Sequence, residues 1–179
     1  MTEIPTLTTS RLVLRRHRRE DFEACAALWA DPVVTRFIQG RPQTREEVWA
    51  RLLRYAGHWT WLGYGYWAVE EGGRFIGELG LADFQREMTP PLGVPELGWA
   101  LSPADHGRGL ATEALLAALA WADAHLDAPE TACIVAPENL ASLRVAAKLG
   151  YRETARTLYK GEETWVFRRS RRSTGSPGG

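Results

Sequence analysis

Cysteine is scarce: Cys25 and Cys133 are the only two in 179 residues. A disulfide framework needs more, and neither cysteine stands at a metal-ligand spacing from a second cysteine or a histidine. Both are expected to be small buried apolar residues, and no metal is expected. Long apolar runs are also missing. No stretch approaches the roughly 20 apolar residues of a spanning helix, and the N-terminal residues lack the apolar core of an export signal. The expectation is a cytoplasmic protein with no membrane association. Net charge is absent, with 22 basic and 22 acidic residues, so nothing points to a nucleic-acid partner. The standard nucleotide motifs are absent as well, both the Gly-Lys-Ser/Thr of a phosphate loop and the three-glycine dinucleotide fingerprint.

What the chain does contain is apolar mass: 45% hydrophobic residues and eight tryptophans. That supports one core, and residues 1–172 are expected to form a single domain with a disordered tail at 173–179. Arg168, Arg169, Arg171 and Arg172 form an acid-free run before that tail and read as a solvated end. Without them the body is mildly acidic, which suits a cationic partner. No internal repeat is present.

Periodicity divides the chain into alternating elements. Leu12-Val13-Leu14 reads as a strand. Phe22, Cys25, Ala26 and Trp29 make a helical stripe that stops at Asp31-Pro32. A second stripe, Val48, Leu52, Tyr55 and Trp59, starts from a Thr44-x-x-Glu47 capping box. Three strands follow, Tyr66 to Val69, Arg74 to Leu81 and Glu96 to Leu101, the first two joined by a Glu71-Gly72-Gly73 turn. A helix carries Leu115, Leu119, Ala122 and Leu126 on one face. Thr131 to Val135 is a strand, and a further helix begins at Asn139. Strands near Thr154 to Tyr159 and Glu163 to Arg168 complete the order. Trp61 and Tyr64, in the densest aromatic stretch, are candidates to line a pocket and grip a cation by their ring faces.

Between a strand and a helix stands Ser102-Pro103-Ala104-Asp105-His106-Gly107-Arg108-Gly109-Leu110-Ala111-Thr112-Glu113-Ala114. Glycines let backbone approach a ligand closely, and the unpaired N–H groups opening the helix favour an anion. A second block, Asn139-Leu140-Ala141-Ser142 through Lys148-Leu149-Gly150-Tyr151, has Asn139 as N-cap, Leu140, Leu143 and Ala147 on one face, and Gly150 as left-handed terminator.

These blocks resemble the GNAT acyl-CoA N-acyltransferases. His106, Gly109 and Ala111 stand where that family carries Gln or Arg, Gly, and Gly or Ala. The departure at His106 fits the branch resembling the RimJ/RimL ribosomal-protein acetyltransferases, whose loop Gly107 through Ala114 matches position by position. Ser10 through Arg15 resembles the opening of that branch. The resemblance covers residues 8–168. It implies an α/β fold in which a mixed, mostly antiparallel twisted sheet of about seven strands is flanked by four helices and splayed between the fourth and fifth strands.

The resemblance also implies sites. His106, Gly107, Arg108, Gly109, Leu110, Ala111 and Thr112 would hold the pyrophosphate of acetyl-CoA, with Arg108 adding charge and Glu113 serving the helix dipole. Trp99, Ala100 and Leu101, on a strand that Gly98 is expected to bulge, would present N–H groups to the acetyl carbonyl, and Asn139 would border the pantetheine arm. The family's usual acid, a tyrosine seven positions after the asparagine, is replaced by Ala146. Ser142 is the substitute acid and Glu96 the candidate base, direct or through water. The segments about Pro32 to Pro42 and Lys160 to Glu163 would border the acceptor. The implied reaction is acetyl transfer from acetyl-CoA to a primary amine, a protein N-terminus or a small molecule, with a homodimer as the assembly suggested by the same resemblance. The alternative is a non-catalytic acyl-CoA-binding module.

Overall fold

The computed structural model describes residues 3–173. One eight-stranded sheet runs in the order β1-β2-β3-β4-β5-β6-β8-β7. Its strands are β1 (Leu7–Thr8), β2 (Leu12–Arg15), β3 (Tyr66–Glu71), β4 (Arg74–Ala82), β5 (Glu96–Leu101), β6 (Glu130–Val135), β7 (Arg152–Tyr159) and β8 (Glu162–Ser170). Five helices accompany it: α1 (Phe22–Ala30), α2 (Pro32–Thr35), α3 (Arg45–Leu62), α4 (Leu110–His125) and α5 (Leu140–Lys148). Every neighbouring pair of strands is antiparallel except β5 and β6. The mixed fold is the expected one, with two short elements added, the two-residue β1 and the single turn of α2.

Local chemistry accounts for the element ends. Thr44 Oγ1 accepts from Glu47 N–H at 3.3 Å while the Glu47 carboxylate accepts from Thr44 N–H at 2.8 Å, closing the capping box of α3. Val48, Leu52, Tyr55 and Trp59 then bury one face of that helix. Asp31 Oδ1 accepts from Val33 N–H, starting α2 where Pro32 ends α1. Gly72 and Gly73 both have positive φ, 58° and 81°, which gives the β3–β4 hairpin the twist its strands require.

Two apolar clusters lie on opposite faces of the sheet. α1 and α3 pack Cys25, Trp29, Val48, Leu52 and Tyr55 against Tyr66, Ala82 and Ala100. α4 and α5 pack Leu110, Leu115, Leu119, Ala146 and Leu149 against Leu79, Leu97 and Leu101. Both cysteines are free and buried. The buried face of α5 is not the one expected. Leu140 is 60% exposed and Ala147 is exposed, while Ala146 and Leu149 reach the core.

The arginine run is also corrected. β8 carries Arg168 and Arg169 into the sheet, and Arg169 forks onto Asp123 of α4 at 2.9 and 2.7 Å with both side chains buried. Arg168 pairs with Glu130 and donates to Leu92 O, and Arg171 donates to Asp123 O at 2.8 Å. These cations tie the last strand to α4 and β6 instead of forming a solvated end. Apart from Ser173, the expected tail lies outside the described residues. No helix among the described residues is long and apolar enough to cross a membrane.

Candidate active site

The strand-to-helix loop is held open by its own side chains. Gly107 and Gly109 have φ of 75° and 77°, the left-handed region that favours glycine. Nothing lies within 4 Å of where a Cβ on Gly107 would stand, and a Cβ on Gly109 would meet only Arg11 Nη2 at 3.7 Å. α4 begins at Leu110, and its first internal bond is Glu113 N–H to Gly109 O at 3.1 Å. The N–H groups of Leu110, Ala111 and Thr112 therefore open onto the loop with no intrahelical acceptor.

Arg108 is held in ion pairs. Its guanidinium grips Glu71 at 2.7 and 2.6 Å and reaches Asp105 at 3.3 Å. Arg74 forks onto the same buried Asp105 at 3.0 and 2.7 Å and, before burial counts against it, holds that carboxyl below its ordinary range. His106 Nε2 hydrogen-bonds the Leu101 carbonyl at 2.9 Å, so the ring anchors the loop to the end of β5.

Glu113 does more than face a dipole. Its Oε1 accepts from Thr9 Oγ1 at 2.6 Å, Ser10 Oγ at 3.1 Å and Arg11 N–H at 3.1 Å, and Oε2 accepts from Arg11 Nε at 2.7 Å. The β1–β2 turn is thereby fastened to α4. These donors, Thr9 foremost, lower the Glu113 pKa to about 2. A depressed folded pKa gives stability that is complete above the unfolded value near 4.5 and is lost as pH falls through about 2. Glu113→Gln is expected to lower the unfolding free energy by about 1–3 kcal/mol near neutral pH. Urea titrations across the acid range should show that deficit shrinking as the wild type protonates. A deficit that stays constant with pH would rule out the ionic tether.

The sheet parts beside this loop. β5 and β6 share a single pairing, Glu96 with Ala132, and Ala132 N–H donates to Pro95 O at 3.0 Å. Because backbone groups alternate along a strand, those of Trp99 and Leu101 turn to the open side, whereas those of Ala100 turn to β4. The register between β4 and β5 is unbroken from Gly77–Leu101 to Ala82–Glu96. The bulge expected at Gly98 is therefore absent. Gly98 instead makes room for a side chain, since a Cβ there would collide with the Tyr66 hydroxyl. That hydroxyl has no hydrogen-bond partner among the described residues, and Tyr66 stacks on Tyr55 with ring centroids 4.3 Å apart. Burial, with Glu96 next, pushes the Tyr66 pKa up and keeps the phenol protonated. Nothing in the local sequence marks Tyr66, because its relation to Gly98 arises across two strand pairings.

On the far side of the opening, Asn139 Oδ1 accepts from Ser142 N–H at 3.1 Å and caps α5. The Ser142 hydroxyl is half-buried and has no partner among the described residues. Ala146 is fully buried. Glu96 is not a free carboxylate. Arg86 Nε and Nη2 donate to its two oxygens at 2.6 and 2.8 Å, and Arg86 Nη1 donates to Tyr159 Oη at 3.2 Å. Trp61 is 88% exposed and Tyr64 is half-buried against the core on the α4 side, while Tyr66, Phe84 and Tyr159 lie beside Gly98 and Arg86.

Beneath the opening lies a buried polar network centred on Glu78 of β4. Tyr55 Oη donates to Glu78 Oε1 at 2.6 Å, Trp29 Nε1 donates to the same oxygen at 2.9 Å, and His17 Nε2 lies 3.2 Å from Oε2. Cys25 Sγ stands 3.7 Å from Oε2. Burial pushes this carboxyl up, but His17, Arg51 and Tyr55 outweigh it and hold the group ionised. Arg51, itself buried, donates to Tyr55 Oη at 3.1 Å and lies 3.7 Å over the Trp29 ring. His17, Cys25 and Glu78 also form a trio of metal-capable donors within 4.8 Å of one another, the case that spacing along the chain did not reveal. Their atoms are joined by the hydrogen bonds just described.

Residues 11–152 match the family model described as an acetyltransferase (GNAT) domain. The chain is 26% identical over 151 residues to an uncharacterized N-acetyltransferase p20 of Bacillus licheniformis, covering 83% of each. The acetyltransferase structure from Agrobacterium tumefaciens is 31% identical, with a TM-score of 0.80 over 93% of this chain and 95% of that one. A RimL ribosomal L7/L12 alpha-N-protein acetyltransferase in complex with coenzyme A shares the fold at 15% identity, with a TM-score of 0.77 over 93% of this chain and 98% of that one. With its glycine loop, its parted strands and a family match along most of its length, the chain belongs to the GNAT family and is an acetyl-CoA-dependent acetyltransferase.

Proposed function

We propose that this enzyme acetylates a primary amine, either a protein N-terminus or a small molecule, by direct attack in a ternary complex. One observation carries the reading: the open N-terminus of α4 directly follows the strand that parts from its neighbour. An anion cradle and a row of free backbone donors thus fall within about a dozen residues of chain. The open space at Gly107 fits a pyrophosphate, held by the loop with the N–H groups of Leu110, Ala111 and Thr112.

Acetyl-CoA, when bound, supplies an activated acetyl thioester. The Trp99 N–H, turned to the opening, would stabilise negative charge growing on the acetyl oxygen, an effect of about 3–4 kcal/mol for one good donor. Asn139 holds the start of α5 beside the pantetheine path. The amine forms its C–N bond as the C–S bond breaks. Its surplus proton passes through water to the Ser142 oxygen as the Ser142 hydroxyl hands its own proton to the departing sulfur, so the serine ends the step neutral. Glu96 serves by fixing Arg86 and Tyr159 at the acceptor end, since Arg86 already engages both its oxygens. Tyr66 aims an unpartnered hydroxyl at the middle of β5 and steadies the reacting groups there.

The test is release of CoA thiol from acetyl-CoA against N-terminal peptides, amino acids, polyamines and aminoglycosides, with a no-acceptor control. Turnover with one class supports the reading. Tight acetyl-CoA binding with no turnover on any class favours the non-catalytic module. In the active assay, Ser142→Ala is expected to lower kcat by about 100-fold while the KM for acetyl-CoA stays within about twofold. An unchanged kcat would remove Ser142 from proton delivery.

A further inference from the structure

Three cations and two aromatic rings alternate at the acceptor end of the opening. The Arg54 guanidinium lies 4.8 Å from the centroid of Phe84, and Arg86 lies 4.8 Å from the same ring. Arg86 lies 5.3 Å from the centroid of Tyr159, and Lys160 Nζ lies 5.4 Å from that centroid. The row therefore reads Arg54, Phe84, Arg86, Tyr159, Lys160. It draws on α3, the segment after β4, and the β7–β8 turn, three stretches that only the fold brings together.

The charges in this row are unbalanced. Among the described residues, the one carboxylate within ion-pair reach of the three cations is Glu96, and Arg86 alone engages it. Arg54 and Lys160 are exposed and, among the described residues, have no ion-pair partner. Among the described residues Arg54 also makes no side-chain hydrogen bond, whereas its neighbours Arg51 and Arg86 do. Surrounding protein first, then repulsion from Arg51 and Arg86, lowers its pKa, and it remains a cation. An anion placed among these groups would relieve that repulsion.

The row is close to the chemistry. The Phe84 ring stands 6.4 Å from the Tyr66 ring, whose hydroxyl reaches Gly98 in the parted strand. An acceptor whose amine meets the acetyl group near Gly98 would extend its remaining atoms toward Phe84 and the two free cations. A polycation laid along that path would meet Arg54, Arg86 and Lys160, and like charges at such distances repel.

We infer that the acceptor is a primary amine whose own molecule carries a carboxylate or comparable anion a few bonds from the nitrogen, received along this row, which has Arg54 at its Phe84 end and Lys160 at its Tyr159 end. The inference rests on the acetyl-transfer reading and names the substrate class of that same site. Two sources share this chemistry, a free amino acid or short peptide with its C-terminal carboxylate and a protein N-terminus with acidic residues in its first positions.

The experiment measures kcat/KM by CoA release for matched acceptors with nearly equal amine basicity. One arm compares diglycine with diglycine amide. The second compares N-terminal peptides that differ only in aspartate or asparagine at the second residue. The third uses spermidine. The anionic member of at least one pair is expected to be favoured by about tenfold or more, a difference of about 1.4 kcal/mol, and the favoured pair identifies the source. Arg54→Gln should raise the KM for that acceptor by about tenfold with kcat and acetyl-CoA KM unchanged, Lys160→Gln should act in the same direction, and Arg54→Lys should restore most of the loss. Equal rates within both pairs, or preference for spermidine, would overturn the inference while leaving acetyl transfer standing. Silence with every acceptor would overturn it too, and acetyl-CoA binding measured calorimetrically would show separately whether the cofactor reading survives.

Discussion

Gly109→Glu is expected to weaken acetyl-CoA binding by at least about 100-fold, equivalent to about 2.7 kcal/mol. Two physical effects combine. Gly109 has a φ of 77°, where any side chain is strained by roughly 1–2 kcal/mol. The new carboxylate would also stand at the mouth of α4, beside the N–H groups of Leu110, Ala111 and Thr112, and compete there with a phosphate. Gly93→Glu is the matched control. Gly93 has a φ of 63° and open space around it but belongs to the loop before β5. Calorimetric titration with acetyl-CoA should show near-normal affinity for the control and loss for Gly109→Glu. Equal affinities in the two variants would show that the α4 terminus is not the anion site.

Glu78→Ala is expected to lower the unfolding free energy by about 3–5 kcal/mol, because removing one member of a buried ionic network leaves its partners uncompensated. Trp29 Nε1 and Tyr55 Oη would lose their shared acceptor, and the buried Arg51 would lose the charge it faces through Tyr55. Glu78→Gln, which keeps one acceptor oxygen and the volume, should cost about half as much. Urea denaturation followed by tryptophan fluorescence measures both. An alanine variant within about 1 kcal/mol of wild type would mean that the network adds nothing to stability. Since Tyr55 stacks on Tyr66, the same variant should lower kcat in proportion to the Tyr66 hydroxyl's displacement from β5.

The features legible in the linear chain share a short range. The Thr44–Glu47 box, the Asn139 cap, the Gly72-Gly73 hairpin and the left-handed glycines of the α4 loop all involve groups within about four residues of one another, where backbone geometry alone decides the outcome. Helical stripes were legible for the same reason where a helix has one apolar face, as in α3. In α5, Leu140, Leu143 and Ala147 share helical spacing, but packing turns Ala146 and Leu149 inward and leaves Leu140 60% exposed, because the side of a short helix that meets the sheet is set by neighbouring elements.

The catalytic surroundings were less legible because each contact spans distant segments. Glu96 reads along the chain as an available carboxylate, yet Arg86 closes a bidentate grip on it once the segment after β4 folds back. Gly98 reads as a bulge until the strand register sets it beneath Tyr66. The acid-free arginine run reads as a free end until β8 places Arg169 against Asp123, 46 residues away.

The residue order by itself determined the family, the succession of strands and helices, and the anion loop, because these depend on capping groups, hydrophobic period and glycine conformations that neighbouring residues enforce. Only the tertiary structure decided which carboxylates are free and which are paired, where the phenol of Tyr66 points, and that Arg54, Arg86 and Lys160 line up along the Phe84 and Tyr159 rings. Ion pairs and shared rings depend on distances of a few ångströms between segments far apart in the chain, and those distances exist only after strand register and helix packing have set them.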